Sequence, residues 1–413
     1  MSAFNRISVI GLGYVGLPTA ALFAAEGLDV VGVDAKAEAV ASINAGRPHF
    51  GEPDLDALVR RVVEDGKLRA SLRAEPADAF VLAVPTPLTD RRGADMSYVQ
   101  AAAEAVAPLL AKGNLVILES TSPVGATEQL SRWLAEARPD LSFPHDAGEQ
   151  ADVNLAHCPE RVLPGRVIEE VVNNARVIGG LSRRCAERAL ALYRIVARGD
   201  CRLTDARTAE LAKLTENAFR DVNIAFANEL ALICDRHGID VWSLIELANL
   251  HPRVNILRPG PGVGGHCIAV DPWFIVDGAP EEAQLIRQAR EVNDGRPDIV
   301  CAKVRQQAAG LKQPVIACLG LSYKADVDDL RESPAIAIVE TLARDKTGEL
   351  LVVEPHIDRL PPELAGHGLS LCDFETALER ANLLLLLVDH AEFLQVDRER
   401  LKSAIVIDTR GVW

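Results

Sequence analysis

RISVIGLGYVGLPTAALFAAEG, from Arg6 to Gly27, reads as a strand, a tight turn and a helix. Gly11, Gly13 and Gly16 are spaced GxGxxG. That spacing allows a tight turn, a close backbone approach to a pyrophosphate, and close packing of helix on strand. Alone the motif is a weak signal, but DVVGVDA follows as a second strand ending in Asp34, 18 residues after Gly16. A carboxylate there accepts hydrogen bonds from the adenosine ribose and repels a 2′-phosphate. The pattern therefore predicts NAD over NADP, with Lys36 the one nearby cation that works against the preference.

Working outward, short apolar runs alternate with helical stretches, the plan of a parallel sheet wrapped by helices. AFVLAVPTP near residue 80, NLVILESTSPVG near 116 and NLAHCPE near 154 read as further strands, each ending in a polar loop. Ligands in such sheets bind beyond the carboxyl ends of strands, which makes Thr86, Thr121, Thr127 and Glu160 candidates for the cofactor edge and the reacting centre. For each threonine a turn or helix cap is an equal alternative.

From about residue 200 to 300 no strand is expected, and one helix runs from about Thr204 to His237, stopped by Gly238. PVIACLGLSYK, GELLVVEP, NLLLLLVD and AIVIDTRG then repeat the strand plan without a second GxGxxG. The expected fold is α/β: two Rossmann-like doubly wound domains, 1–198 and 301–413, joined by a central helical region, 199–300, with a long helix.

At 413 residues and 48% hydrophobic, the chain can build cores for two or three domains. No apolar run is long enough to span a bilayer and no signal-peptide core opens the chain, so a cytoplasmic protein with no membrane partner is expected. A net charge of −15 disfavours nucleic acid. Eight cysteines without a CxxC pair fit a reducing compartment, and nine histidines without ligand spacing give no support for a metal.

GPGVGGHCIAVDPWF, from Gly260 to Phe274, sets Cys267 in a glycine-rich loop with Asp271 four residues on. An alcohol loses one hydride with a base alone, but its aldehyde must become tetrahedral before a second hydride can leave. A thiol supplies that adduct, a thiohemiacetal whose oxidation gives a hydrolysable thioester. One cysteine and one cofactor site thus suffice for a four-electron oxidation. A lone cysteine is commonly a small buried hydrophobe, and Cys158, Cys185, Cys201, Cys234, Cys301, Cys318 and Cys372 sit in ordinary strand or helix contexts.

On the long helix Lys213, Asn217 and Arg220 share one face, either a solvated polar face or a lysine and amide able to stabilise an oxyanion. HPRVNILRPG adds His251, Arg253 and Arg258, cations suited to a diphosphate. Tyr323–Pro334 is a charged loop in which Lys324 and Arg331 can meet a nucleotide.

Taken together, GLGYVGLP, VPTP, ESTSPVG, CPERVLPG, LTENAFRDVNIAFANEL, GVGGHCIAVDPWF and DDLRESP resemble, in order, the motifs of the nucleotide-sugar 6-dehydrogenase family, which includes UDP-glucose and GDP-mannose dehydrogenases. The resemblance implies oxidation of a sugar C6 alcohol to a carboxylate with two NAD, for bacterial surface polysaccharide. VGGHCIAVD is closer to the branch acting on 2-acetamido sugars than the FGGSCFPKD-like loop of UDP-glucose dehydrogenases, which puts UDP-N-acetylmannosamine ahead of UDP-N-acetylglucosamine and UDP-glucose.

By the same resemblance Cys267 is the nucleophile, and Lys213 and Asn217 stabilise alkoxide and oxyanion, Lys213 also serving as acid or base. Asp271, Thr121 and Glu160 position water and tune proton transfer, Glu160 being preferred as base for thioester hydrolysis. Gly11, Gly13, Tyr14, Val15, Gly16, Asp34, Thr86 and Thr127 contact NAD. Arg161, Val162, Lys213, Asn217, Arg220, His251, Arg253, Gly264, Tyr323 and Lys324 line the sugar-nucleotide site. The middle helices build a homodimer in which Arg331 reaches the cofactor of the other subunit. Ser322, Tyr323, Ala325 and Asp326 depart from the AFKP-like text of relatives. Two other classes compete: a two-electron hydroxyacid dehydrogenase with a structural Cys267, and a silent nucleotide-sugar binder.

Overall fold

The GxGxxG segment forms the strand β1 (Arg6–Ile10), a glycine turn and the helix Gly16–Ala25. The computed structural model describes residues 4–162, 165–265 and 267–413, in two compact units, Met1–Thr215 and Glu216–Trp413. Leu163 and Pro164 of the CPERVLPG stretch, and His266 beside Cys267, lie outside the described residues.

The first unit is built on one sheet. Its strands are β1, β2 (Asp29–Val33), β3 (Leu68–Ser71), β4 (Ala79–Leu82), β5 (Leu115–Leu118), β6 (Asn154–His157), β7 (Arg176–Gly180) and β8 (Cys201–Asp205). Their order is β3-β2-β1-β4-β5-β6-β7-β8, and the first six are parallel in the order of a dinucleotide-binding fold. Chain order reverses between β1 and β4, where Ile10 stands level with both Val33 and Leu82. In folds of this kind the ligand crevice lies beyond such a point. Alternate residues feed two cores: Ile7, Val9, Val81 and Ile117 on one face, and Ile10, Phe80, Leu82 and Val116 on the other. Burial on both faces is why β4 and β5 read as unbroken apolar runs.

One expectation fails at the far edge. Cys201–Asp205 is a strand, parallel to β7, where only helix was expected after residue 200. CRLTD is exposed or half-buried throughout, so an apolar run never advertised it. The long helix accordingly begins at Ala206 and runs to His237, with Gly238 in the left-handed conformation (φ 67°) as its stop.

In the second unit, shorter helices follow: Val241–Asn249, Asp271–Gly278, Gln284–Asp294 and Arg296–Ala308. Buried polar groups join them. Arg290 pairs with Asp221, Asn293 Nδ2 donates to Asp221 at 2.8 Å, and Asn228 Nδ2 donates to Asn293 at 2.8 Å. Asn228 Oδ1 then accepts from the Gly260 amide at 2.9 Å, anchoring the start of the cysteine loop. A four-stranded parallel sheet closes the chain, with β9 (Val315–Leu319), β10 (Glu349–Val353), β11 (Leu383–Leu386) and β12 (Ile405–Asp408) in the order β10-β9-β11-β12. The fold is therefore α/β with two Rossmann-like sheets and a long central helix. No described helix is long and apolar enough to cross a membrane.

Candidate active site

At the carboxyl end of β1, Gly11 takes φ 92° and its amide donates to Val33 O at 2.8 Å. A Cβ on Gly16 would strike the Gly11 carbonyl, whereas one on Gly13 would meet nothing within 4 Å. The first contact is the close helix packing expected of the motif, and the second is open space above an exposed turn. Asp34, half-buried after β2, accepts from Leu12 N at 3.1 Å and Lys36 N at 2.9 Å. Two amides thus fix its carboxylate at the crevice. Tyr14 packs against Phe50, ring centroids 4.3 Å apart, and Val15 precedes the helix half-buried. These residues fit NAD: a glycine turn with room for a pyrophosphate and a fixed acid for the ribose.

Thr86 Oγ1 donates to Thr121 O at 2.6 Å, joining the loops after β4 and β5. Thr127 is fully buried, and its hydroxyl and amide both donate to Glu210 Oε1, at 2.6 and 2.8 Å. Gly125 N donates to the other oxygen of Glu210 at 2.6 Å. A carboxylate from the long helix therefore caps the helix Ala126–Ala137, and Thr127 has a capping contact in place of an exposed hydroxyl.

Beyond β6, Glu160 is buried and accepts from Arg161 N at 2.6 Å and from Arg176 at 2.9 Å. Arg161 also donates to Ala175 O at 3.1 Å, and Val162 packs on the core. Arg176 lies 4.6 Å over the Tyr193 ring, whose hydroxyl donates to Glu119 at 2.9 Å. Burial, with the Glu160 charge added, pushes Glu119 up to about 8, so it holds its proton at neutral pH. Burial likewise pushes the neighbouring Cys158 thiol up to about 12. Lys213, half-buried on the long helix, is close enough to His157 that its charge adds to the burial that pushes that ring down to about 3. Arg176, Glu119, Tyr193 and Glu210 carry no local sequence signal of their role: each stands near other polar residues, and its partner lies far along the chain.

In the second unit Cys267 is exposed at a turn whose carbonyl accepts from Val270 N at 3.1 Å and Asp271 N at 2.8 Å. Every other cysteine is buried or half-buried. Asp271, 2% exposed, opens the next helix and accepts from Asn217 Nδ2 at 2.6 Å. Cys267, Asp271 and Asn217 thus come together. Gly264 and Gly265 lie against Tyr323: a Cβ on Gly264 would fall 2.7 Å from the Tyr323 Cβ, and one on Gly265 would fall 3.1 Å from its ring.

Among the remaining cations, Arg220, Arg253 and Lys324 are exposed, and none pairs with an acid among the described residues. His251 Nδ1 accepts from Arg253 N at 3.3 Å. Arg331 forms a two-point ion pair with Asp329 on its own loop, through Nε at 2.8 Å and a terminal nitrogen at 2.5 Å.

Three family models match in sequence: the NAD-binding domain (residues 5–197), the central domain (207–295) and the UDP-binding domain (317–413) of the UDP-glucose/GDP-mannose dehydrogenases. The chain belongs to the UDP-glucose/GDP-mannose dehydrogenase family. It is similar to an NDP-N-acetyl-D-galactosaminuronic acid dehydrogenase of Ralstonia nicotianae, 62% identical over 99% of this chain and 96% of the relative. It is also similar to a UDP-N-acetyl-D-mannosamine dehydrogenase of Yersinia pestis, 57% identical over 100% of both. The solved structure of a UDP-D-ManNAc dehydrogenase from Pyrococcus horikoshii superposes with a TM-score of 0.89 at 41% identity, covering 99% of this chain and 96% of that one. This family member is an NAD-dependent nucleotide-sugar dehydrogenase.

Proposed function

We propose that the chain oxidises UDP-N-acetyl-D-mannosamine at C6 to UDP-N-acetyl-D-mannosaminuronate, a four-electron reaction that yields an acidic sugar for bacterial surface polysaccharide. The observation that carries the reading is an exposed Cys267 one turn before Asp271, which orients Asn217. NAD, held at Gly11–Gly16 and Asp34, supplies a hydride acceptor for each of two oxidations. Lys213 takes the proton of the C6 hydroxyl as the aldehyde forms. Cys267 sulfur then bonds to C6, and Asn217 donates to the resulting oxyanion. Loss of the second hydride leaves a thioester. Water, oriented by Thr121 and Glu160, adds to it; the C–S bond breaks, the acid leaves and the thiol is restored. Arg161, Val162, Arg220, His251, Arg253, Gly264, Tyr323 and Lys324 bind the sugar nucleotide.

The test is NADH formed per UDP-N-acetylmannosamine consumed, with the sugar nucleotide limiting. Two per sugar supports the reading, one indicates an aldehyde-releasing enzyme, and none moves the substrate elsewhere. The Ralstonia relative favours one alternative, the galacto epimer, and the same titration with UDP-N-acetylgalactosamine decides between them.

The assembly belonging to this reading is a homodimer. Phe219, Phe226 and Ile233 recur every seventh residue along the long helix and are 71, 51 and 47% exposed, and Leu247 and Leu250 are exposed on the next helix. A heptad row of exposed apolar side chains suits a second copy of the same helix.

A further inference from the structure

At the carboxyl ends of β10, β9 and β11 the second sheet places a carboxylate where folds of this kind turn backbone amides toward a phosphate. Glu354, 4% exposed, follows β10. Its Oε2 accepts from the amides of Leu321 and Ser322 at 2.7 and 3.1 Å, and lies 3.0 Å from His390 Nε2. Its Oε1 accepts from His356 N at 3.0 Å. His390, fully buried after β11, accepts at Nδ1 from Asp326 N at 2.9 Å. An accepting Nδ1 puts the ring proton on Nε2, directed at Glu354. Asp326 Oδ1 accepts in turn from Ala391 N at 2.9 Å, and Ser322 Oγ donates to Lys324 O at 2.7 Å.

These bonds fold residues 321–326 into one turn with Tyr323 at its crest. Asp326 takes φ 59°, a left-handed conformation that aspartate and asparagine tolerate and alanine resists. The turn is not a cation site in this arrangement: Asp326 Oδ1, His356 and His390 lie within 4.8 Å of one another, but Asp326 Oδ1 and His390 Nδ1 each already accept a backbone hydrogen. What the turn does reach is the cysteine loop. Tyr323 covers both glycines: a Cβ on Gly264 would fall 2.7 Å from the Tyr323 Cβ, with no room for it, and one on Gly265 would press its ring at 3.1 Å. Gly265 N donates to Arg331 O at 3.2 Å, further along the same loop. Cys267 stands two residues beyond.

We infer that Glu354, His390 and Asp326 form a latch that sets Tyr323 against Gly264 and Gly265, and so are positioning residues for the sugar nucleotide and for Cys267. The inference rests on the proposed function for its substrate, but not for the placement of the thiol. A positioning error of an ångström is enough to cost a large factor in rate.

The full-length Asp326→Ala, Asp326→Asn and Glu354→Gln variants test it. Three quantities are read: KM and kcat for UDP-N-acetylmannosamine, KM for NAD, and the rate at which iodoacetamide alkylates Cys267 without substrate. Asp326→Ala and Glu354→Gln are expected to raise the sugar-nucleotide KM about tenfold and to change the alkylation rate at least about threefold, with the NAD KM unmoved. Asp326→Asn keeps the acceptor and tolerates the left-handed conformation, so it should match the parent. Asp326 is exposed, so its variants are expected to keep the fold even where Glu354→Gln does not. Parent-like KM and alkylation in Asp326→Ala would overturn the latch, as would an equal loss in Asp326→Asn. If the protein does not oxidise UDP-N-acetylmannosamine at all, the proposed substrate falls, while the substrate-free alkylation rates still decide the latch.

Discussion

Asn217 Nδ2 donates one hydrogen to the buried Asp271 carboxylate at 2.6 Å, which leaves its second amide hydrogen to point elsewhere. An amide oriented in this way is a ready oxyanion donor, because its reorganisation cost is met by the fold. Replacing Asn217 by Ala should lower kcat by about 10²–10³, the usual loss for one such donor. Asp271→Asn should cost less, since it keeps an oxygen acceptor but loses the charge. Initial NADH rates at saturating substrates check both, and an Asn217→Ala enzyme with parent kcat removes the amide from the mechanism.

Exposure separates Cys267 from the other thiols. Burial pushes Cys318 up to about 12 and Cys301 to about 11, which suppresses the thiolate that reacts. Brief iodoacetamide treatment should therefore label the Cys267 peptide first and abolish turnover in proportion. Peptide mass spectrometry follows the label. Retained activity after complete labelling of Cys267 would return the enzyme to the two-electron class.

Two glycines should fail for different reasons. A Cβ on Gly264 would fall 2.7 Å from the Glu332 carbonyl and 2.7 Å from the Tyr323 Cβ, so Gly264→Ala must displace the loop and lower both stability and activity. Gly13 faces open space, so Gly13→Ala should melt like the parent while its KM for NAD rises by about tenfold or more, the methyl meeting the pyrophosphate. Thermal melts beside NAD titrations separate the two, and an unchanged NAD KM in Gly13→Ala argues against the assigned cofactor turn.

What the sequence disclosed was local. The β1 turn, Asp34 at the end of β2 and the Cys267–Asp271 spacing are written within windows of a few residues, where backbone sterics and strand periodicity act directly. The strand β8 stayed hidden because an exposed edge need not be apolar. Glu210 capping the helix at Thr127, Tyr193 bonding Glu119 and His390 bonding Glu354 stayed hidden for another reason: partners 83, 74 and 36 residues apart are matched by topology alone.

The exposed row on the long helix makes an assembly prediction. Phe226→Glu places a charge in the middle of the apolar row and should convert a dimer to a monomer, read as a halved mass by light scattering. A parent that is already monomeric at micromolar concentration would refute the proposed interface.

Glu119 gives the stability an alkaline slope. Its folded value of about 8 lies above the ordinary 4.5, so between those limits the folded chain keeps a proton that the unfolded chain has released. Folding then takes up a proton, and stability falls as pH rises through that window, by up to about 1.4 kcal/mol per pH unit. Below the ordinary value both states are protonated and the effect vanishes; above about 8 the full cost is present. Glu119→Gln keeps the shape and the acceptor for the Tyr193 hydroxyl but cannot ionise. Its urea midpoint should decline less than the parent's across the same window, and the two curves should diverge most on the alkaline side. Parallel curves would mean that Glu119 ionises in the fold as readily as in the unfolded chain, with the Arg176 charge offsetting its burial.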